Sequence, residues 1–201
     1  MRNYSPLVRF CVLLVMAGVI CTSCKTPPAR PSKIPNRLIL IVAGDVDSTL
    51  VNRVQKFVEG NYGLDIWVAH TPQVWQGTLE NQTKEMSKLR SRNEMGIVAL
   101  AIEPPEISPH GIVDNQHKCA IINLSALKPA TTTPDWQEKY ARRVEKETIR
   151  AVGHLLGLPT CVDPHCAMSA YSNEQELDAK GRTLCPPCQH KANVLLGKPV
   201  E

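Results

Sequence analysis

Cys161, Cys166, Cys185 and Cys188 are the residues whose types and spacing say most about chemistry. Four residues separate the first pair and two the second, and 18 lie between the pairs. Loops this short bring two thiolates to one tetrahedral Zn²⁺, and two such loops complete its shell. Four sulfur ligands leave no position open, so a zinc held there is structural. Pro186 and Pro187 stiffen the second loop. In an oxidising compartment the same cysteines could instead close as disulfides, within each loop or across the two. A thioredoxin-like Cys-Pro-Pro-Cys should open a helix just after the first strand, and this one lies near the far end of the chain.

The second group sits on a long helix. Thr133-Pro134-Asp135 combines a capping hydroxyl with proline at the first helical position, and Gly157 is a natural stop. Trp136, Tyr140, Val144, Thr148, Ala151, Val152 and Leu155 share one stripe, the expected core face. Arg150 and His154 stand together on its flank. A zinc hydrolase places two histidines at i and i+4 on one helical face, with a glutamate beside the first as general base. His154 fits the second position. The first holds Arg150, the base position Ala151, and the third ligand position of a longer motif Thr160.

Arginine keeps its proton in proteins and offers no lone pair. Alanine cannot take a proton from water, and a threonine hydroxyl is a weak ligand beside imidazole. Glu147, three residues before Arg150, is placed for an intrahelical ion pair. His110, His117 and His165 read as solvated loop side chains, although a substitute ligand such as His165 would change the picture. Cys119 reads as a buried apolar residue, and Trp67 and Trp75 as core or rim.

From Arg143 to Lys191 the chain resembles the archaemetzincins, the metzincin branch that adds four zinc-binding cysteines after its active-site helix. The landmarks in register are Lys146-Glu147, Gly153-His154, Leu156-Gly157-Leu158, Cys161, Cys166, Met168, Ser172-Asn173, Asp178, Lys180-Gly181, Cys185 and Cys188. The resemblance implies a structural zinc on the four cysteines, a methionine turn at Met168 beneath the site, and His154 as a remnant ligand. It also implies that Arg150, Ala151 and Thr160 replace the family's His, Glu and His. No catalytic residue is then expected, and a second, catalytic zinc is not.

The elements that position these groups follow from apolar patterning. Leu38 to Ala43 is a short run ended by Gly44-Asp45, as in a strand buried on both faces. A helix follows from a Ser48 cap to Gly60, then a strand over Leu64 to His70 and a polar helix over Thr78 to Arg92. Ile97 to Ile102 and Ala120 to Leu124 are the remaining strands, with a loop or irregular hairpin over 106–118. This order predicts an α/β (α+β) domain, a metzincin-like twisted mixed sheet with an active-site helix and a zinc-knotted C-terminal subdomain.

At 201 residues, 43% hydrophobic and 21% charged, the chain has the length and composition of one globular domain. Arg2 and Arg9 flank an apolar run over Phe10 to Cys21, followed by Thr22-Ser23-Cys24. This resembles a bacterial lipoprotein signal, cleaved so that Cys24 becomes an acylated N-terminus. The expected organisation is a signal over 1–23, a proline-rich tether over 24–36 and the domain over 37–201. Loss of Arg2 and Arg9 takes 23 basic side chains to 21 against 19 acidic, a net of +2. No basic block remains, which argues against a nucleic-acid partner.

The expectation is an exported zinc protein of the bacterial envelope, anchored in the membrane by lipid. It would be a pseudo-peptidase that binds a peptide or protein ligand in its cleft. Two alternatives use the same residues: an active zinc peptidase with rearranged ligands, and a disulfide-stapled structural lipoprotein.

Overall fold

The computed structural model describes residues 34–72, 77–103, 110–129 and 134–199. The signal, Cys24, most of the tether and Trp75 lie outside these residues. Five strands, β1 (Arg37–Ala43), β2 (Asp65–Thr71), β3 (Glu94–Ala101), β4 (Gly111–Asp114) and β5 (Cys119–Asn123), form one sheet in the order β2-β1-β3-β5-β4. Neighbours pair in parallel except β4, which runs antiparallel to β5. The helices are α1 (Ser48–Tyr62), α2 (Leu79–Ser87), α3 (Trp136–Leu156), α4 (Glu174–Ala179) and α5 (Pro186–Leu195). The fold is the mixed α/β arrangement that the sequence predicts.

The sheet divides two hydrophobic layers. Leu38, Leu40 and Val42 of β1 face a core shared with α1, α3 and the C-terminal segment. Ile41 and Ala43 face the other way, towards Leu79 and Met86 of α2. Both faces of β3 are covered, which is why its sequence is a continuous apolar run. Among the described residues no helix is long and apolar enough to cross a membrane.

Several boundaries differ from the sequence reading. Asp47, not Ser48, caps α1, its carboxylate accepting the Thr49 N–H at 2.8 Å. Gly60 is absorbed into the helix, and Gly63 ends it with φ +56°. Helix α2 stops at Ser87 rather than Arg92. Helix α3 begins at Trp136, so Pro134 lies in the turn before it, and Asp135 occupies the cap position. Within 106–118, which the sequence predicts to be a loop or irregular hairpin, Gly111–Asp114 forms β4, a fifth strand among the described residues.

The stripe read on α3 also understates its burial. Trp136 and Tyr140 are only half-buried, whereas Arg143, Glu145, Lys146 and Glu147 are buried on the helix's other sides. Each has charged or backbone partners. Arg143 bonds Asp178 at 2.7 Å and Glu174 at 2.9 Å, and the Lys146 ammonium donates to the Leu177 and Asp178 carbonyls. Helix α3 is therefore enclosed by sheet, α1 and the C-terminal segment.

Arg53 ties α1 to α3, bonding Glu145 at 2.8 Å and Glu138 at 2.5 Å, and Arg142 adds a bond to Glu138 at 2.6 Å. Hydrogen bonds from Arg53, then Arg142, hold the Glu138 carboxyl down at about 2, against an ordinary 4.5. Its contribution to stability is therefore complete above pH 4.5 and is lost as pH falls towards 2. We expect Glu138→Gln to lower the melting temperature at pH 7 by about 2–4 °C, the equivalent of roughly 1 kcal/mol at this size. Melting curves of the variant and wild type should converge as pH approaches 2. A gap that persists at that pH would mean that the carboxylate's charge is not what stabilises.

Candidate functional site

The chain leaves α3 through Gly157, whose φ of +97° turns it sharply, and the four cysteines meet just beyond. Their Sγ atoms all lie within 4.8 Å of one another, with Cys161 and Cys185 at 3.7 Å. None is disulfide-bonded. Four sulfurs each about 2.3 Å from one Zn²⁺ would stand about 3.8 Å apart, so this donor set fits a tetrahedral ion. Backbone N–H groups of Met168 and Cys185 donate to the Cys166 sulfur at 3.4 and 3.3 Å, the polarity a thiolate ligand needs. Cys166 and Cys188 are buried, while Cys161 and Cys185 are half-buried.

Close backbone approach fixes this knot to the helix. A Cβ on Gly153 would lie 2.3 Å from the Met168 sulfur and 2.9 Å from the Tyr62 hydroxyl. Met168 thus packs directly against α3 one residue before His154, in the place that the resemblance gives to the methionine turn. A Cβ on Gly181 would come within 1.6 Å of the His165 carbonyl oxygen, so only glycine fits there too.

His154 is half-buried, with Nδ1 3.1 Å from the Leu158 carbonyl oxygen. That contact assigns the proton to Nδ1 and leaves Nε2 as the acceptor nitrogen. Burial, then the Arg150 charge, pushes its pKa below the usual histidine value. One turn earlier, Arg150 reaches Glu147 at 3.5 Å, the ion pair that the spacing predicts. Ala151 is buried in the core and Thr160 is exposed. A second zinc does not fit this set. A fixed cation stands at one position, a methyl group at the next and an exposed hydroxyl at the third.

Sequence reasoning missed what surrounds Arg150. Glu147 is buried, and its other oxygen lies 3.5 Å from the buried Lys180 ammonium. Burial lowers Lys180 to about 8 despite that carboxylate. Tyr171 spans the group, 4.9 Å from Lys180 and 5.8 Å from Arg150 by ring centroid, and burial drives its phenol well above its ordinary value. His110 is not the solvated side chain expected from its loop. It is half-buried, stacked on Tyr171, with Nδ1 2.7 Å from the phenol oxygen. His117 instead pairs with Asp114 at 2.5 Å, and His165 is exposed, as expected. Cys119 is buried apolar as expected, whereas Trp67 lies 55% exposed on the edge strand beneath Arg37.

His110, Gly111, Glu147, Arg150 and Tyr171 line a cavity of about 420 Å³. A larger one, about 590 Å³, lies where α1 and α3 begin and is lined by Leu50, Ile102, Leu124 and Tyr140.

Comparison with known proteins supports the same placement. The family model for Peptidase family M54 matches residues 109–193. The archaemetzincin of Halobacterium salinarum is 43% identical over 168 residues, covering 76% of this chain and 97% of that protein. That of Saccharolobus solfataricus is 36% identical over 177 residues, covering 79% and 94%. Among solved structures, the archaemetzincin of Methanopyrus kandleri superimposes with a TM-score of 0.64 at 22% identity, covering 86% of this chain and all of that one. A zinc-dependent peptidase from Methanocorpusculum labreanum shares the fold at a TM-score of 0.65 and 18% identity, covering 78% of this chain and all of that one. With its sheet, its helix carrying Gly153-His154 in the last turn and its four gathered cysteines, the chain belongs to the archaemetzincin family.

Proposed function

We propose that this archaemetzincin is a lipid-anchored envelope protein that has lost peptidase chemistry and works by binding a peptide or protein ligand in its cleft. Arg150 carries the reading. A metal-dependent peptidase needs three neutral or anionic ligands around an open position and a base beside the water. Here a guanidinium occupies the first ligand position, held by Glu147 at 3.5 Å. Ala151 brings no base. Zinc would then serve the cysteine knot alone, as a structural ion.

Anchoring rests on Arg2, Arg9, the apolar run and Cys24, and a diacyl or triacyl chain gives stable membrane association where one acyl group is marginal. The mature protein should start at an acylated Cys24 by intact mass spectrometry. Purified in detergent, it should retain peptides without cutting them. A mass that includes Met1 would remove the anchor, and turnover of peptides that is lost on His154→Ala would remove the binding-only reading.

A further inference from the structure

We propose that the cleft captures the C-terminal carboxylate of a peptide on the Arg150 guanidinium, with the peptide's last residues added antiparallel to β4. This rests on the peptide-binding reading above and names the feature of the peptide that is recognised.

Charge balance is the first observation. Glu147 is shared by two cations, Arg150 at 3.5 Å and Lys180 at 3.5 Å. The other carboxylate on the cavity wall, Glu174, is held by Arg143 at 2.9 Å. Arg150 therefore keeps an excess of positive charge facing the cavity, with its side chain 30% exposed and its guanidinium held by Glu147 at no less than 3.5 Å. The exposed terminal N–H groups of a planar guanidinium suit a carboxylate, which can accept two parallel hydrogen bonds.

The sheet edge is the second. Among the described residues β4 lies at the end of the sheet and pairs only with β5. The Asn123 N–H donates to the His110 carbonyl at 2.8 Å. Alternation along an antiparallel pair then turns the backbone groups of Ile112 and Asp114 towards β5 and those of Gly111 and Val113 to the open edge. Gly111, at the start of β4, shares the cavity wall with Arg150. An antiparallel peptide strand would finish at the Gly111 end, bringing its terminal carboxylate to the guanidinium. Main-chain bonds to the edge would supply affinity, and Arg150 would select chains that end there.

The test uses the full chain in detergent and a fluorescein-labelled pool of random hexapeptides, made once with a free C-terminal carboxylate and once as the carboxamide. The acid pool should bind at least about tenfold more tightly than the amide, and should shift the Arg150 Nε–Hε resonance. Arg150→Gln should bring the acid pool down to the amide level, and Arg150→Lys should keep part of the preference. Circular dichroism melts verify folding, and if Arg150→Gln is unfolded the resonance shift and Arg150→Lys decide. Equal binding of both pools, or an acid preference that survives Arg150→Gln, overturns terminal recognition and leaves peptide binding standing. Inorganic phosphate that shifts the resonance when the acid pool does not assigns the cleft to a free anion and overturns it too. Binding of neither pool removes the peptide reading and this proposal together.

Discussion

Removal of zinc from the cysteine knot should cost this protein most of its folding stability. Apparent free energies of structural zinc in small cysteine sites are about 10–16 kcal/mol, as large as the net stability of a whole domain, about 5–15 kcal/mol. The knot is also part of the core. Cys166, Ala167, Met168, Leu177, Cys188 and Ala192 belong to the same buried cluster as Val144, Val152 and Leu155 of α3. Loss of the ion would free the segment that covers one side of α3. The reduced protein should hold one zinc per chain by elemental analysis. A strong chelator, or Cys166→Ser, should lower the melting temperature by more than about 10 °C, which at this size corresponds to several kcal/mol. Hydrogen exchange should rise first over 161–196. A metal-free protein whose four thiols react only after reduction would instead establish the disulfide alternative.

The cysteine set was legible from the sequence because its information is local: two short loops and one 18-residue spacer. Strands β1 and β3 were legible for a similar reason, since burial on both faces leaves an unbroken apolar run. Helix ends were harder. Asp47 and Ser48 are both good caps, and only the carboxylate's bond to Thr49 decides between them. Four-residue β4 carries too little pattern to separate a strand from a loop.

The polar side of α3 was the least legible. Arg143, Glu145 and Glu147 look like a solvated face in sequence. Their partners Asp178, Arg53 and Lys180 lie 35, 92 and 33 residues away. The Glu147–Arg150 pair was visible because it lies within one turn. Its third member Lys180, and the Tyr171–His110 stack bridging 61 residues, need the tertiary fold. Ser172-Asn173, Asp178 and Lys180-Gly181 are all among the family landmarks, the signal in the sequence that this stretch matters.

The sharpest expected result concerns the three replaced positions. Wild-type protein should show no zinc-dependent peptidase activity even with excess metal, and Arg150→His with Thr160→His should raise bound zinc from one ion per chain to two. Much of the receiving geometry is already in place. The Leu158 carbonyl fixes the His154 tautomer with Nε2 as acceptor, and Met168 packs against Gly153 beneath it. Replacing Arg150 removes the cation that opposes a metal, while Lys180, 3.5 Å away, still balances Glu147. The double variant should bind its second zinc yet remain inactive, because Ala151 leaves the general-base position without a proton acceptor. Adding Ala151→Glu supplies that base, whose contribution in such reactions is about 10²–10⁴-fold. Ala151 is only 2% exposed, so a carboxylate there loses water and depends on the new ion for compensation. The triple variant should therefore be unstable without zinc and recover with it, a dependence that the double variant should not share. Failure of the double variant to gain a second ion would show that Arg150 and Thr160 do not occupy the ligand positions. Peptidase activity in the wild type, abolished by His154→Ala, would show that another side chain has taken their place.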